Sequence, residues 1–161
     1  MVLFLDIEGA FLNTVLTKLM HNLRKHSILG KYMDFIEKML ADRHTMLKYD
    51  SHTSEPIVID NRIGQGDLLL IVLYQYYNAD LLNIPRGKYK NALAYVDDTI
   101  MVATIETFTK AHMMLADMME WEGGVLDWSR THNSPLEYIK LALIDFTHRG
   151  SSKARIALHL S

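Results

Sequence analysis

The chain has 161 residues, 49% of them hydrophobic, which predicts one domain with a proper core. It has no cysteine and its eight histidines lack zinc-site spacing, so disulfides and a thiolate zinc site are excluded. The net charge of −2 is unfavourable for a protein that grips nucleic acid by itself. No apolar run reaches about 18 residues and no basic segment precedes the first one, so we predict an intracellular protein without a membrane span.

The first half of the chain is predicted to contain a strand, two helices and two strand-like runs. Val2–Asp6 is a near-continuous apolar run that ends in an acid, which is typical of a strand buried on both faces. Apolar positions that repeat every three and four residues predict helices over residues 14–25 and 31–41. Strand-like runs follow at residues 45–49 and 57–63, with turn-forming residues between them.

The second half is predicted to form helices and strands around one hairpin. These elements cover, in order, a helix at 67–82, the hairpin at 92–104, a helix at 106–121 and strands at 137–146 and 156–160. The whole order predicts an α+β fold, with an antiparallel sheet and helices packed on one face.

The motif Tyr95-Val96-Asp97-Asp98 lies between the two apolar runs of the hairpin, so Asp97 and Asp98 are predicted at its turn. Two ionised carboxylates this close repel each other unless a cation lies between them. Oxygen ligands of this kind suit Mg²⁺ or Mn²⁺. The alternative is an ordinary solvated Asp-Asp turn.

Asp6 is a third carboxylate, because it ends the first buried strand and must find a partner or a cation there. If that strand lies beside the hairpin, Asp6, Asp97 and Asp98 converge. Three such carboxylates are able to hold two divalent ions roughly 4 Å apart for phosphoryl displacement.

Three segments, taken together and in this order, resemble the palm of reverse transcriptases. They are Leu5-Asp6-Ile7-Glu8-Gly9-Ala10-Phe11, Gly64-Gln65-Gly66 and Tyr95-Val96-Asp97-Asp98. The resemblance is to the LINE-type, non-LTR retrotransposon branch and its group II intron relatives, and it covers about residues 2–146. It implies a palm-like α+β domain, RNA-directed DNA synthesis, two Mg²⁺ or Mn²⁺ ions, and primer–template nucleic acid and dNTPs as partners.

The same resemblance implies roles for individual residues. Asp6, Asp97 and Asp98 correspond to the catalytic, metal-binding acids, and the carbonyl of Ile7 would assist at the metal. Lys140 corresponds to a lysine that approaches the triphosphate and protonates the leaving group. Without the family, Lys140 is an ordinary surface charge.

Other matching residues would contact the nucleotide and the template. The resemblance places Phe11 under the incoming sugar, where its ring would favour deoxynucleotides; its alternative role is that of a core aromatic. Gln65, Gly66 and Tyr95 match the groups near the template and the new base pair. The chain departs from the family at Asp67, which puts a negative charge where a phosphate backbone should pass.

The family palm is normally preceded by fingers and followed by a thumb, and both are expected to be missing from these 161 residues. We therefore predict a palm fragment that is inactive by itself. The alternatives are a non-catalytic remnant or binding scaffold derived from a mobile element, and, from a different class, a small two-metal nuclease.

Overall fold

The computed structural model describes residues 1–59 and 68–146, and the backbone of Lys153–Arg155. The chain divides into two compact units. The first combines Met1–Ala10 with Asn78–Ser161, and the second is Phe11–Tyr77. That the chain is one domain stays a prediction.

The described elements are short strands and helices in a mixed order. The strands are β1 (Val2–Leu5), β2 (His44–Thr45), β3 (Lys48–Tyr49), β4 (His52–Thr53), β5 (Ile57–Val58), β6 (Lys90–Tyr95), β7 (Asp98–Ala103), β8 (Ala142–Asp145) and β9 (Lys153–Arg155). The helices are α1 (Leu16–Lys25), α2 (Gly30–Leu40), α3 (Leu68–Asn78), α4 (Phe108–Glu120) and α5 (Val125–Thr131), with 3-10 turns at Ala79–Asn83 and Tyr138–Lys140.

The first unit is built on one five-stranded sheet in the order β6-β7-β1-β8-β9. Every neighbouring pair is antiparallel, and the register pairs Leu5 with Thr99 and Phe4 with Ala142. β1 is thus central in the sheet. It is buried on one face only, and not on both as its apolar run predicted, because Phe4 lies on the more exposed face. A mixed α and β architecture with an antiparallel sheet is confirmed.

One face of this sheet forms the core of the first unit. Because strand side chains alternate in direction, Leu3, Leu5 and Met101 point to the same face and are buried there. α4 packs against β7 and contributes Leu115 and Met118 to this core. The alternate residues of the strands stay more exposed, and Phe4 is 39% exposed.

The second unit is helical, with a small β-ribbon. α1 and α2 pack together through apolar positions spaced three and four apart, including Leu19, Leu23 and Ile36, all of which are buried. The Asn22 amide, 1% exposed, donates to the carbonyls of Tyr76 and Tyr77 at the end of α3. β2 pairs with β5 and β3 with β4, so the predicted strand-like run at 45–49 is two short strands.

The largest difference from the sequence prediction lies before β8. A continuous strand was expected over residues 137–146, but residues 138–140 form a 3-10 turn and the strand begins at Ala142. Residues 153–155, which precede the strand predicted at 156–160, pair with β8 as β9. The strand predicted at 156–160 and the loop at 64–66 lie outside the described residues.

Candidate active site

The hairpin forms where the sequence predicts it, but its turn lies one residue earlier than the predicted Asp97-Asp98 pair, because Asp98 is the first residue of β7. Tyr95 and Asp98 are the last registered pair of β6 and β7, which leaves Val96 and Asp97 as the two turn residues. Val96 has a φ of 58°, whereas Asp97 does not have a positive φ. A positive φ at the first central residue alone is the pattern of a type II′ turn, which normally uses glycine there. Val96 is β-branched, so this turn stores backbone strain.

A buried amide holds the turn in place. Asn78, 2% exposed, donates from Nδ2 to the carbonyl of Val96 at 3.1 Å and to Oγ1 of Thr99 at 3.4 Å. These two contacts lie on either side of Asp97 and Asp98. Because the two contacts hold the turn on both sides of the acids, Asn78 fixes the part of the hairpin that carries them.

Asp6 directly follows the last paired residue of β1. Leu5 is opposite Thr99, so Asp6 leaves the sheet at the end of β7 that carries Asp98. Its backbone carbonyl accepts a hydrogen bond from the amide of Glu137 at 2.9 Å. The next residue, Ile7, is buried and forms an isolated bridge with Leu136. The sheet therefore brings Asp6 and the hairpin acids to the same end.

Lys140 completes this end of the sheet. Its ammonium nitrogen lies 3.0 Å from Oδ2 of Asp6 and 2.6 Å from Oε2 of Glu137. The 3-10 turn at residues 138–140 makes this possible, because it folds Lys140 back toward Glu137, three positions earlier. One ammonium thus bridges two carboxylates.

The charges of this cluster keep Lys140 protonated. The hydrogen bond to Glu137 and then that to Asp6 raise the pKa of the Lys140 ammonium well above its usual range. A lysine in these contacts is a fixed positive charge. It must leave them before it is suited to donate a proton to a leaving group, as its family role requires.

A pocket of about 390 Å³ opens at the same place. Its floor is formed by β1 and β7, through Phe4, Leu5, Thr99 and Ile100. Asp6, Asp98 and Lys140 supply its charged groups. Asp97 is not among the described residues that line it. The pocket is thus an apolar surface with acids and one lysine at its rim.

The same residues only partly match the needs of a divalent ion. Asp6 and Asp98 offer hard oxygen ligands that suit Mg²⁺ or Mn²⁺. Yet residues 1–59 and 68–146 contain no group of three or more His, Cys, Asp or Glu arranged to hold a metal ion. The Lys140 ammonium already pairs with Asp6. In this arrangement the residues do not fit a pair of divalent ions.

Four further site residues were predicted, and two of them lie in the described part of the chain. Phe11 belongs to the second unit, where its ring lies 4.8 Å from that of Tyr74 in a tilted stack. Tyr95 ends β6 and is 77% exposed. Gln65 and Gly66 lie outside the described residues. The roles of all four stay predictions.

Sequence reasoning missed two residues that shape this site. The sequence predicts Glu137 at the start of a strand, although its spacing of three from Lys140 is a recognised ion-pair spacing on a helical turn. Asn78 lies near the end of a long apolar segment, where an amide among mostly apolar neighbours indicates a buried hydrogen-bonding role. The long-range contacts of Glu137 and Asn78 could not be identified without the fold.

Comparison of the chain with protein-family models and with curated proteins gives no match. Within the described segments, no helix has both the length and the apolar character needed to cross a membrane.

Proposed function

We propose that this chain is the palm-like part of a retroelement reverse transcriptase, and that these 161 residues by themselves do not extend a primer. In the intact family, the activity is RNA-directed DNA synthesis on a primer–template with dNTPs. The assignment rests on the resemblance, and the geometry supports it in one respect.

The supporting observation is the meeting of Asp6 and Asp98 at one pocket. The two residues are far apart in the sequence, and each follows or begins a strand at the same end of an antiparallel sheet. A palm needs this arrangement, because its sheet must present its acids together to the end of the primer. An Asp-Asp turn that serves only as a solvated loop needs no third acid beside it.

A primer-extension assay tests the proposal. The chain is incubated with an RNA template, a DNA primer, dNTPs and Mg²⁺ or Mn²⁺, and the Asp97→Asn/Asp98→Asn variant is the control. We expect no extension by either protein, and weak Mn²⁺ binding by the unaltered chain that the control variant loses. Mn²⁺ binding that is unchanged in the control would contradict the palm assignment. Extension that the control lacks would make the chain a minimal polymerase.

A specific observation also favours the second candidate, a non-catalytic remnant or binding scaffold. Asp6 forms an ion pair with Lys140, and the chain carries a net charge of −2. Both features oppose the close approach of a polyanion with its metal ions. The absence of Mn²⁺ binding in every variant, together with no extension, would favour this candidate.

A further inference from the structure

His132 is a buried titratable residue that plays no part in the candidate active site described above. It directly follows α5, and its ring stacks on that of Trp128, with the ring centres 4.9 Å apart. Its Nδ1 lies 3.1 Å from the carbonyl oxygen of Trp128, and its Nε2 lies 4.0 Å from Oδ2 of Asp80. Asp80 belongs to the 3-10 turn at Ala79–Asn83. Each ring nitrogen thus has an oxygen acceptor beside it.

These two oxygens favour the protonated ring. A neutral imidazole carries one N–H, so its other nitrogen directs a lone pair at an oxygen, whereas an imidazolium presents an N–H on both sides. The neutral ring is still accommodated, because the Thr131 hydroxyl lies 3.1 Å from Nδ1 and is able to donate to it. His132 therefore fits in both protonation states, but only the protonated ring forms an ion pair with Asp80.

Other titratable groups lie on α5 and on the elements that pack against it. They are Asp127 and Arg130 on α5, and Lys110, His112, Asp117 and Glu120 on α4, which packs on α5. Asp127, Asp117 and His112 have ion-pair partners of their own. Within the 3-10 turn, Asp80 is the one acidic residue. Because His112 titrates over the same pH range as His132, its effect has to be measured separately.

Asp80 and His132 belong to two segments that each support part of the candidate active site. Asp80 lies two positions after Asn78, whose amide donates to the turn between β6 and β7. His132 is followed by residues 135–137, whose backbone pairs with residues 6–8. The first segment thus holds the hairpin acids, and the second holds the end of β1 from which Asp6 projects.

Buried Ser134 makes the connection from His132 to residues 135–137 rigid. Its Oγ donates to the His132 carbonyl at 3.1 Å, and its own carbonyl accepts from Oγ of Ser129 at 2.8 Å. The Ser134 amide also donates to the Ser129 carbonyl at 2.9 Å. A displacement of His132 is therefore transmitted to the segment that pairs with residues 6–8.

We propose that the ion pair of His132 with Asp80 is a pH-dependent link between these two segments, and that it sets how firmly the acid-bearing end of the sheet is held. His132 and Asp80 are then positioning residues, and neither is among the described residues that line the pocket. The inference does not require that the acids bind a metal ion.

The pH range of this link follows from the two groups. It needs an ionised carboxylate and a protonated imidazole, and the usual values for these side chains are about 3.9 and 6.5. Its contribution is therefore fully present below the unfolded histidine value and is lost as the pH rises through the histidine titration. The acid-bearing end should be held more firmly near pH 5.5 than near pH 8, both about one to two units from the midpoint.

An NMR titration of the whole chain from about pH 5.5 to pH 8 tests the proposal. Imidazole signals follow the protonation of each histidine, and the amide signals of residues 96–98 and 135–137 report on the two segments. We expect these amide signals to shift with the same midpoint as the His132 ring. Exposed carboxylates stay ionised throughout this range, so they do not produce such a shift.

Three variants assign the effect. Asp80→Asn keeps the buried ring and removes the negative charge beside it, so the His132 midpoint should move to lower pH and the amide shifts should move with it. His132→Gln should abolish the shifts at both segments and identifies the His132 ring signal. His112→Gln is the matched control, because it removes a second pair of a histidine with an aspartate, Asp145, and should leave the shifts unchanged.

Two outcomes would overturn the inference. A His132 midpoint that is the same in Asp80→Asn and in the unaltered chain would show that the two charges do not interact. Titration of His132 that leaves the amides of either segment unmoved would show that the pair does not link them. Neither outcome bears on the palm assignment, which the Mn²⁺-binding and primer-extension measurements decide.

Discussion

Val96 has an unfavourable backbone conformation in the turn that positions the neighbouring Asp97 and Asp98. A non-glycine residue in the left-handed region costs about 1–2 kcal/mol, and its φ is 58°. Val96→Gly removes that cost and adds about 0.5–1 kcal/mol of backbone entropy loss on folding. We expect the free energy of unfolding to rise by about 0.5–1 kcal/mol, as measured by urea denaturation.

The matched control for this prediction is Val102→Gly, in the same hairpin. Val102 is half-buried in β7 and is not among the residues with positive φ. The same substitution there should lower the free energy of unfolding by about 1–2 kcal/mol, because side-chain contacts and strand preference are lost with no strain to relieve. A loss of similar size at both positions would show that the Val96 turn is not strained.

At the scale of elements, two buried asparagines join helix ends to carbonyl groups in the same way. Asn78 holds the hairpin turn through the Val96 carbonyl, and Asn22 ties α1 to α3. Replacing either by the isosteric Asp removes the donors and leaves a buried carbonyl unsatisfied, which costs about 1–3 kcal/mol. We expect both variants to lose stability in urea.

Hydrogen exchange distinguishes the two contacts. Only Asn78→Asp should speed amide exchange at residues 95–98, because only Asn78 holds that turn. Asn22→Asp is the control for a general loss of stability. Equal exchange at the turn in the two variants would mean that Asn78 does not position the acids.

The start of α5 gives an element whose stability depends on pH. The amide of Gly123 donates to Oδ2 of Asp127 at 2.8 Å, and this bond, followed by the charge of Arg130, lowers the pKa of the Asp127 carboxyl. A lowered folded pKa contributes stability above the unfolded value of about 3.9, and this is lost as pH falls through the folded value.

Asp127→Asn should therefore be less stable than the unaltered chain near pH 7, and the difference should shrink as the pH falls below about 4. Thermal unfolding monitored by circular dichroism between pH 7 and pH 3 measures it. A difference that stays constant over this range would exclude the carboxylate charge as its cause.

At the scale of the whole molecule, the basic residues before the hairpin are already engaged. Lys90 pairs with Asp117 and lies 5.3 Å from the ring centre of Trp121, and Arg86 stacks on the same ring at 4.3 Å. The Lys90 side chain is only 12% exposed. These two cations are therefore less available to phosphates, and the net charge of −2 further disfavours the binding of a polyanion.

We therefore expect the chain to bind an RNA–DNA primer–template only weakly, with a dissociation constant of about 10⁻⁴ M or higher at physiological salt. Fluorescence anisotropy at rising salt measures this binding. Affinity should fall as salt is raised from about 50 to 200 mM, since phosphate contacts release counterions. Tight binding that does not depend on salt would show a different mode of recognition.

Local sequence patterns predicted β1, the hairpin, and the positions of Asp6 and of the Asp97-Asp98 pair near their ends. They succeed there because an apolar run or a turn signal depends only on residues that are close in the sequence. They failed at residues 137–140. There the backbone turns so that Glu137 bonds to the carbonyl of Asp6. The side chain of Lys140 also contacts Asp6, which lies 134 positions earlier in the chain. Long-range partners decide such positions, and a single sequence does not display them.

The central place of β1 has a consequence for how the chain reaches its fold. The ammonium group of Met1 donates to the carbonyl of Ala103, 102 positions later, and the other edge of β1 pairs with β8, still further along. During synthesis both edges of β1 stay open until these partners emerge, and closing such long loops slows folding. This apolar strand is thus exposed until both partners have been made, which favours aggregation of the nascent chain.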